Sequence, residues 1–139
     1  MRGVLNGLVA ETSRTAIVDL EAGLEHLSRG TARHVDALFI IGEPYFKSLE
    51  TASRSFALAK DLGIKKVRMV ANKVRSPRDE DTVRDFANRH GLPIEAVVPF
   101  DDAVVAADER GAALIEYQPA APSVAAIRRL ADGVLTTGR

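Results

Sequence analysis

Residues 66–72 read KVRMVAN, an apolar and β-branched run that ends on an asparagine. Three further runs of the same kind occupy residues 15–20, 37–43 and 94–100. Each run is nearly continuous rather than alternating, which is typical of strands buried on both faces of a parallel sheet. The sequence therefore predicts four strands of one mainly parallel sheet.

Helical patterns lie between and after these runs. Gly63 and Gly91 end the first two patterns, since glycine favours the left-handed backbone that closes a helix, and Ser76 is a candidate N-cap. Strands that alternate with helices predict βαβ units with right-handed crossovers, so the predicted fold class is α/β with flanking helices. The predicted helices cover residues 46–62, residues 77–90 after the Ser76 cap, residues 102–110 after a cap at Asp101, and a last segment that begins at Ala121 or Ser123.

The composition narrows the classes of function. Lysine plus arginine equal aspartate plus glutamate at 19 each, so no net field attracts nucleic acid or anionic lipid. The chain has no cysteine, which excludes thiolate metal sites and cysteine nucleophiles. No segment approaches the roughly 18 consecutive apolar residues that span a bilayer, and the first residues lack a signal-peptide pattern. We therefore expect a single cytoplasmic domain over residues 1–139.

Polar residues follow the predicted strands, at the end of the sheet where open α/β folds bind ligands. Asp19 ends the first strand and is suited to hold Mg²⁺ through water, while Gly23 allows a backbone amide to approach a phosphate. Asn72 ends the third strand, and its side chain has the donors and acceptor that match an adenine edge. The competing interpretations are a helix N-cap for Asp19 and a simple turn residue for Asn72.

Taken together, these residues resemble the second half of the MinD/ParA type of P-loop ATPase. The similarity is greatest to the subgroup that inserts nickel during maturation of carbon monoxide dehydrogenase. Residues 16–31, which include VDLEAGLEHLSRGT from Val18 to Thr31, are similar to that subgroup's Walker B and switch II segment. The motifs ANKV at residues 71–74 and VPFDD at residues 98–102 continue the similarity in the family's order. The resemblance implies an incomplete Rossmann-like, three-layer P-loop NTPase fold.

The resemblance also implies ATP and Mg²⁺ as cofactors and assigns a role to each matching residue. Asp19 corresponds to the Walker B aspartate near Mg²⁺, and Gly23 corresponds to the switch II glycine near the terminal phosphate. Asn72, with Lys73 beside it, corresponds to the asparagine that recognises adenine. Pro99 and Phe100 lie in the loop that passes beside the base, so residues 72–74 and 99–102 form the expected base-binding loops.

Two departures from the family limit the analogy. A Gly-x-x-x-x-Gly-Lys-Ser/Thr pattern occurs nowhere in the 139 residues, so we expect little or no ATP hydrolysis by this chain alone. The cysteine pair by which the nickel-inserting relatives hold metal is also absent. The family's P-loop strand lies between the strands expected near Val18 and Ile40. These two strands must then pair directly, take a strand from a partner or leave backbone groups unpaired.

Three functions remain open from the sequence. The first is an ATPase-family fragment that binds nucleotide only when a P-loop-bearing partner is supplied. The expected assembly is a homo-oligomer or a complex with a P-loop-containing ATPase chain. The second is a non-enzymatic module that docks on a full-length relative through its dimer face or an open strand edge. The third is DNA binding through the basic residues near residues 65–78, for which a solvated face is the competing and preferred interpretation.

Overall fold

The structure is a computed structural model that describes residues 15–20 and 34–137. Strands and helices alternate from Leu38 to Pro99, and three helices follow the last strand. In order they are β1 (Leu38–Gly42), α1 (Phe46–Asp61), β2 (Val67–Val74), α2 (Pro77–His90), β3 (Ile94–Pro99), α3 (Asp102–Asp108), α4 (Leu114–Tyr117) and α5 (Pro122–Thr137). No helix among the described residues is long and apolar enough to cross a membrane.

The three strands form one parallel sheet in the order β1-β2-β3. Parallel neighbours require a crossover, and α1 and α2 supply the two crossovers on one face of the sheet. α5 covers part of the other face, chiefly over β3. The predicted α/β class is confirmed, as are three of the four predicted strands.

The larger core lies between the sheet and the helix pair α1 and α2. Met69 in β2 and Ala59 in α1 are fully excluded from solvent, and Val83 in α2 is 1% exposed. Val70 and Ala126 belong to a smaller cluster between the sheet and α5. Because β2 contributes to both clusters, its apolar residues are buried on both faces, which explains why its sequence is a continuous apolar run.

The predicted helix ends are confirmed at α2. The Ser76 hydroxyl accepts a hydrogen bond from the Asp79 amide at 3.2 Å, and Gly91 adopts a left-handed conformation with φ of 62°. The helix predicted after a cap at Asp101 begins at Asp102 as expected but ends at Asp108 rather than Arg110. The last helix begins at Pro122, between the two predicted starting residues. The short helix α4 was not predicted.

The strand predicted at residues 15–20 is wrong. These residues have no regular secondary structure, and Ile17 is 94% exposed. A strand needs a neighbouring strand to accept its backbone hydrogen bonds, and β1 pairs only with β2 in the described sheet. Only Leu20 at the end of the segment packs against the larger core. Direct pairing between the strands expected near Val18 and Ile40 therefore does not occur.

Candidate functional site: the carboxyl edge of the sheet

The three parallel strands end at the same edge of the sheet, which we call the carboxyl edge. It is formed by Glu43 after β1, residues 72–75 at the end of β2, and residues 99–102 at the end of β3. Val74 is paired with Pro99, and the Phe100 amide donates to the Val74 carbonyl at 2.9 Å. The structure thus brings together the two loops that carry the predicted base-binding residues Asn72, Lys73, Pro99 and Phe100.

The two residues predicted for the phosphate side are not brought into this arrangement. Asp19 is exposed and lies in the irregular segment at residues 15–20. Gly23 lies outside the described residues. The Mg²⁺ and phosphate roles of both residues therefore stay predictions.

A β-bulge interrupts β2 at the predicted adenine-recognition residue. Between the pairs Ala71–Val97 and Val74–Pro99, β2 has two residues where β3 has one. The second of these, Lys73, has φ of 56°, a left-handed conformation that costs a non-glycine residue about 1 to 2 kcal/mol. Bulges of this kind redirect side chains beside functional sites. The half-buried Asn72 side chain forms no hydrogen bond with any described residue.

An ion pair ties the ends of β1 and β2 together. The Lys73 ammonium lies 2.9 Å from Oε1 of Glu43, and the two side chains are 54% and 29% exposed. The Glu43 amide donates to the Ser48 hydroxyl at 2.9 Å, which anchors Glu43 to the first turn of α1. Both charged groups are thus held at the carboxyl edge by contacts outside the sheet ladder.

A cation–π contact joins the loops after β2 and β3. The Arg75 guanidinium carbon lies 3.5 Å from the centre of the Phe100 ring, within the range of a stacked arginine–aromatic contact. The Arg75 amide also donates to Asp79 at 2.9 Å, which fixes the backbone that carries the arginine. One face of the Phe100 ring is therefore covered by the Arg75 guanidinium.

Asp101 links the loop after β3 to the start of α5. Its carboxylate accepts hydrogen bonds from the Ser123 hydroxyl at 2.8 Å and the Ser123 amide at 3.2 Å, and it caps α3 through the Ala103 amide at 3.0 Å. The hydrogen bonds from Ser123 lower the pKa of Asp101 below its ordinary value of 3.8, with a smaller contribution from Ala103, although partial desolvation opposes them. Asp101 thus stabilises the loop at residues 99–102 by hydrogen bonds to α3 and to the start of α5.

An open groove of about 510 Å³ extends from this loop toward α4. Two aromatic rings, Phe100 and Tyr117, line it together with Asp102 and Pro122. Arg110 lies 4.9 Å from the centre of the Tyr117 ring. The described residues contain no group of three or more histidine, cysteine, aspartate or glutamate side chains placed to hold a metal ion.

Sequence reasoning missed three of the residues that shape this edge. Glu43 ends a predicted strand, but the sequence does not identify it as the partner of Lys73, which follows a neighbouring strand. Arg75 was interpreted as part of a solvated basic face, and no local pattern indicates its contact with Phe100. Ser123 is 22 positions from Asp101, so only the packing of α5 reveals that contact.

No family model matches the chain. The carbon monoxide dehydrogenase accessory protein CooC of Rhodospirillum rubrum is 39% identical over 120 residues, which are 86% of this chain and 45% of CooC. An uncharacterized ATP-binding protein of Methanocaldococcus jannaschii is 38% identical over 112 residues, which are 80% of this chain and 43% of that protein. The chain spans slightly less than half the length of these curated relatives.

Solved structures share the fold at lower sequence identity. The cell division protein MinD of Aquifex aeolicus superimposes with a TM-score of 0.66 at 18% identity, over 82% of this chain and 50% of that one. MinD of Pyrococcus horikoshii, solved as a complex with Mg-ADP, gives 0.63 at 18% identity over 94% of this chain and 55% of its own. The sequence and fold comparisons agree with the resemblance found in the motifs. The chain therefore belongs to the MinD/ParA-type ATP-binding proteins and corresponds to a carboxy-terminal portion of them.

Proposed function

We propose that this chain supplies the base side of an ATP site whose P-loop comes from residues outside these 139. The observation that carries the proposal is the position of Asn72. Its amide has no partner among the described residues, and it lies on a bulge at the carboxyl edge beside the loop of Pro99 and Phe100. Relatives and fold neighbours that are named as ATP-binding, or were solved with Mg-ADP, support the choice of nucleotide.

The chemistry of this half is recognition rather than phosphoryl transfer. An asparagine amide presents one acceptor and two donors, which complement the donor and acceptor on the edge of adenine. The P-loop amides and lysine that hold the β and γ phosphates have no counterpart in the sequence, so this chain does not hydrolyse ATP by itself. Asp19 and Gly23 serve the Mg²⁺ and phosphate side when the site is complete. The protein works in the cytoplasm, as a homo-oligomer or with a P-loop-bearing ATPase chain.

The proposal is tested by supplying the P-loop in trans. The chain is mixed with a polypeptide that carries the amino-terminal half of CooC, and binding of a fluorescent ATP analogue is measured in the presence of Mg²⁺. Binding is expected only in the mixture, and Asn72→Ala should weaken it. Formation of the complex without any nucleotide binding would refute the proposal.

A second function, docking without nucleotide, is favoured by the exposed edge of the described sheet. β1 has a sheet neighbour on one side only among the described strands, and Ile41 within it is 58% exposed. Unpaired strand edges and exposed apolar side chains support association with another chain. This function predicts a stable complex with a full-length relative whose formation is indifferent to both Mg-ATP and Asn72→Ala.

A further inference from the structure

One face of the sheet is left largely uncovered over β1 by the described helices. Side chains alternate along a strand, and Phe39 packs in the smaller cluster beneath α5, so Ile41 points to the same face. α5 lies chiefly over β3, which is at the other end of the sheet from β1. As a result Ile41 is 58% exposed, whereas its neighbour Ile40, on the opposite face, is 8% exposed. The α5 side of β1 therefore presents apolar surface to solvent.

The flank of α5 that faces β1 is apolar as well. Arg129 borders a groove at the outer edge of β3, together with Arg84 from the opposite face of the sheet. Residues two apart on a helix point about 200° apart, so Ile127 lies on the other flank of α5, toward β1. Ala131 and Val134 follow Ile127 at spacings of four and three, which keeps them on its flank. Ile127 is 51% exposed, so this flank carries an apolar stripe in contact with solvent.

These two surfaces form one trough, which we call the β1 trough. Its floor is Phe39 and Ile41 on β1, and its wall is Ile127, Ala131 and Val134 on α5. A single exposed apolar side chain is ordinary, but a contiguous apolar patch between a strand and a helix marks an interaction surface. In layered α/β folds the element that fills such a position is a second helix, which packs about 8 to 10 Å from its neighbour.

The described helices of this chain are not suited to fill the trough of a second copy. α1, α2 and α5 already bury their apolar faces on their own sheet. α3 and α4 have seven and four residues and are too short to cover the strand and the flank of α5 together. The chain covers less than half of CooC, so more than half of that relative lies outside the matched region and can supply further helices.

We propose that the β1 trough receives an amphipathic helix from the P-loop-bearing partner, in a contact that forms without nucleotide. This inference rests on the proposed function, because the partner is the same, and it adds the surface and the kind of element that docks there. The docked helix lies beside α5 and presents apolar residues at spacings of three and four. Burial of apolar surface is sufficient to drive this contact, so assembly precedes nucleotide binding.

The test measures assembly in the absence of nucleotide. The chain is co-expressed with the amino-terminal half of CooC, and the Kd of the purified pair is measured by biolayer interferometry. Ile127→Glu places a charge in the wall of the trough, while Ile41→Thr keeps a β-branched residue on β1 but makes the floor less apolar. Ile115→Glu is the matched control, because Ile115 is 52% exposed on α4 and lies outside the trough.

Ile127→Glu should weaken the complex at least tenfold, because docking would bury an unpaired charge. Ile41→Thr should weaken it about fivefold, and Ile115→Glu by less than about twofold. The Tm of each variant without partner should stay within about 2 °C of the wild type, which separates a lost contact from a lost fold. Unchanged affinity in Ile127→Glu, an equal loss in Ile115→Glu, or no complex with the wild type overturns the inference.

A second measurement identifies the occupant of the trough. The photoreactive residue p-benzoylphenylalanine is placed at position 127, or at position 115 as the control, and cross-linked peptides are identified by mass spectrometry. Cross-links from position 127 should fall on one helix of the CooC half, at residues three or four apart. Cross-links between two copies of the chain, or to residues without that spacing, overturn the inference. A complex that forms through the trough but binds no ATP would refute the proposed function alone.

Discussion

Substitution of Gly42 by alanine should strain the larger core at one identifiable contact. Gly42 ends β1 directly before the carboxyl edge, and a Cβ at this position would overlap the terminal methyl of Met69 and lie 3.7 Å from the Cβ of Ala52. Gly42 does not have a positive φ, so backbone strain does not contribute. Because Met69 is fully buried, its displaced methyl group has no solvent to move into. The displaced group is the flexible end of a methionine side chain, so the cost should lie near the lower end of the usual range for overpacking, at about 1 kcal/mol.

The origin of that cost can be isolated with a double-mutant cycle. Met69→Ala alone should destabilise the chain by about 2 to 5 kcal/mol, since it deletes buried atoms and leaves a cavity. In the Met69→Ala background the clash is gone, so Gly42→Ala should cost nothing or stabilise slightly by partly filling that cavity. The two substitutions are therefore predicted to couple by about 1 kcal/mol, the double variant being more stable than the sum of the single effects implies.

Urea unfolding of the four proteins, followed by far-UV circular dichroism, measures each free energy of unfolding. The Gly42→Ala effect corresponds to a decrease in Tm of roughly 3 to 4 °C per kcal/mol in a chain of 139 residues. Additive effects of the two substitutions, within about 0.5 kcal/mol, would refute the close approach of β1 to Met69.

Three further predictions concern local features of the fold. Ser76→Ala should lower the free energy of unfolding by about 1 kcal/mol in urea titrations, because it removes the acceptor for the Asp79 amide, and Ser76→Asp should restore it. Gly91→Ala should lower the free energy of unfolding by about 1 kcal/mol in the same assay. The whole effect would be backbone strain, because no atom lies within 4 Å of the added methyl group. An unchanged stability would argue against the left-handed conformation at the end of α2. Asp101→Asn should lower Tm at neutral pH, where the carboxylate accepts from Ser123. Folding lowers the pKa of Asp101, so the ionised carboxylate stabilises the folded protein at any pH above 3.8. This stabilisation is lost as the pH falls through the pKa of Asp101 in the folded protein. The Tm values of the wild type and Asp101→Asn should therefore converge in acid.

Much of the fold could be predicted because it depends on local sequence patterns. The run at residues 66–72 is buried on both faces of the sheet, as its continuous apolar character indicates. Ser76 and Gly91 act at the ends of α2 through interactions within a few residues, so their residue types are sufficient to identify them. The strand predicted at residues 15–20 failed because strand formation depends on a neighbouring strand, which no local pattern can supply.

The site was predictable only in part, for the same reason. Asn72 and Phe100 could be placed at one edge because both follow strands of a parallel sheet. The left-handed conformation of Lys73 could not be predicted, because the residue types that favour positive φ are glycine and asparagine. The bulge could not be predicted either, because it arises from the register between β2 and β3. The contact between Asp101 and Ser123 depends on the packing of α5 and has no signature in either segment.

The central claim is that Asn72 recognises the base of ATP. Calorimetric titration of Mg-ATP tests it most directly, with the wild-type chain, Asn72→Ala and Asn88→Ala each mixed with the amino-terminal half of CooC. Asn88 is exposed on α2, so its substitution makes the same change away from the carboxyl edge. The account predicts saturable heat for the wild type and Asn88→Ala, and binding at least about fivefold weaker for Asn72→Ala. Equal affinity in all three proteins, or no heat in any of them at millimolar ATP, would contradict it.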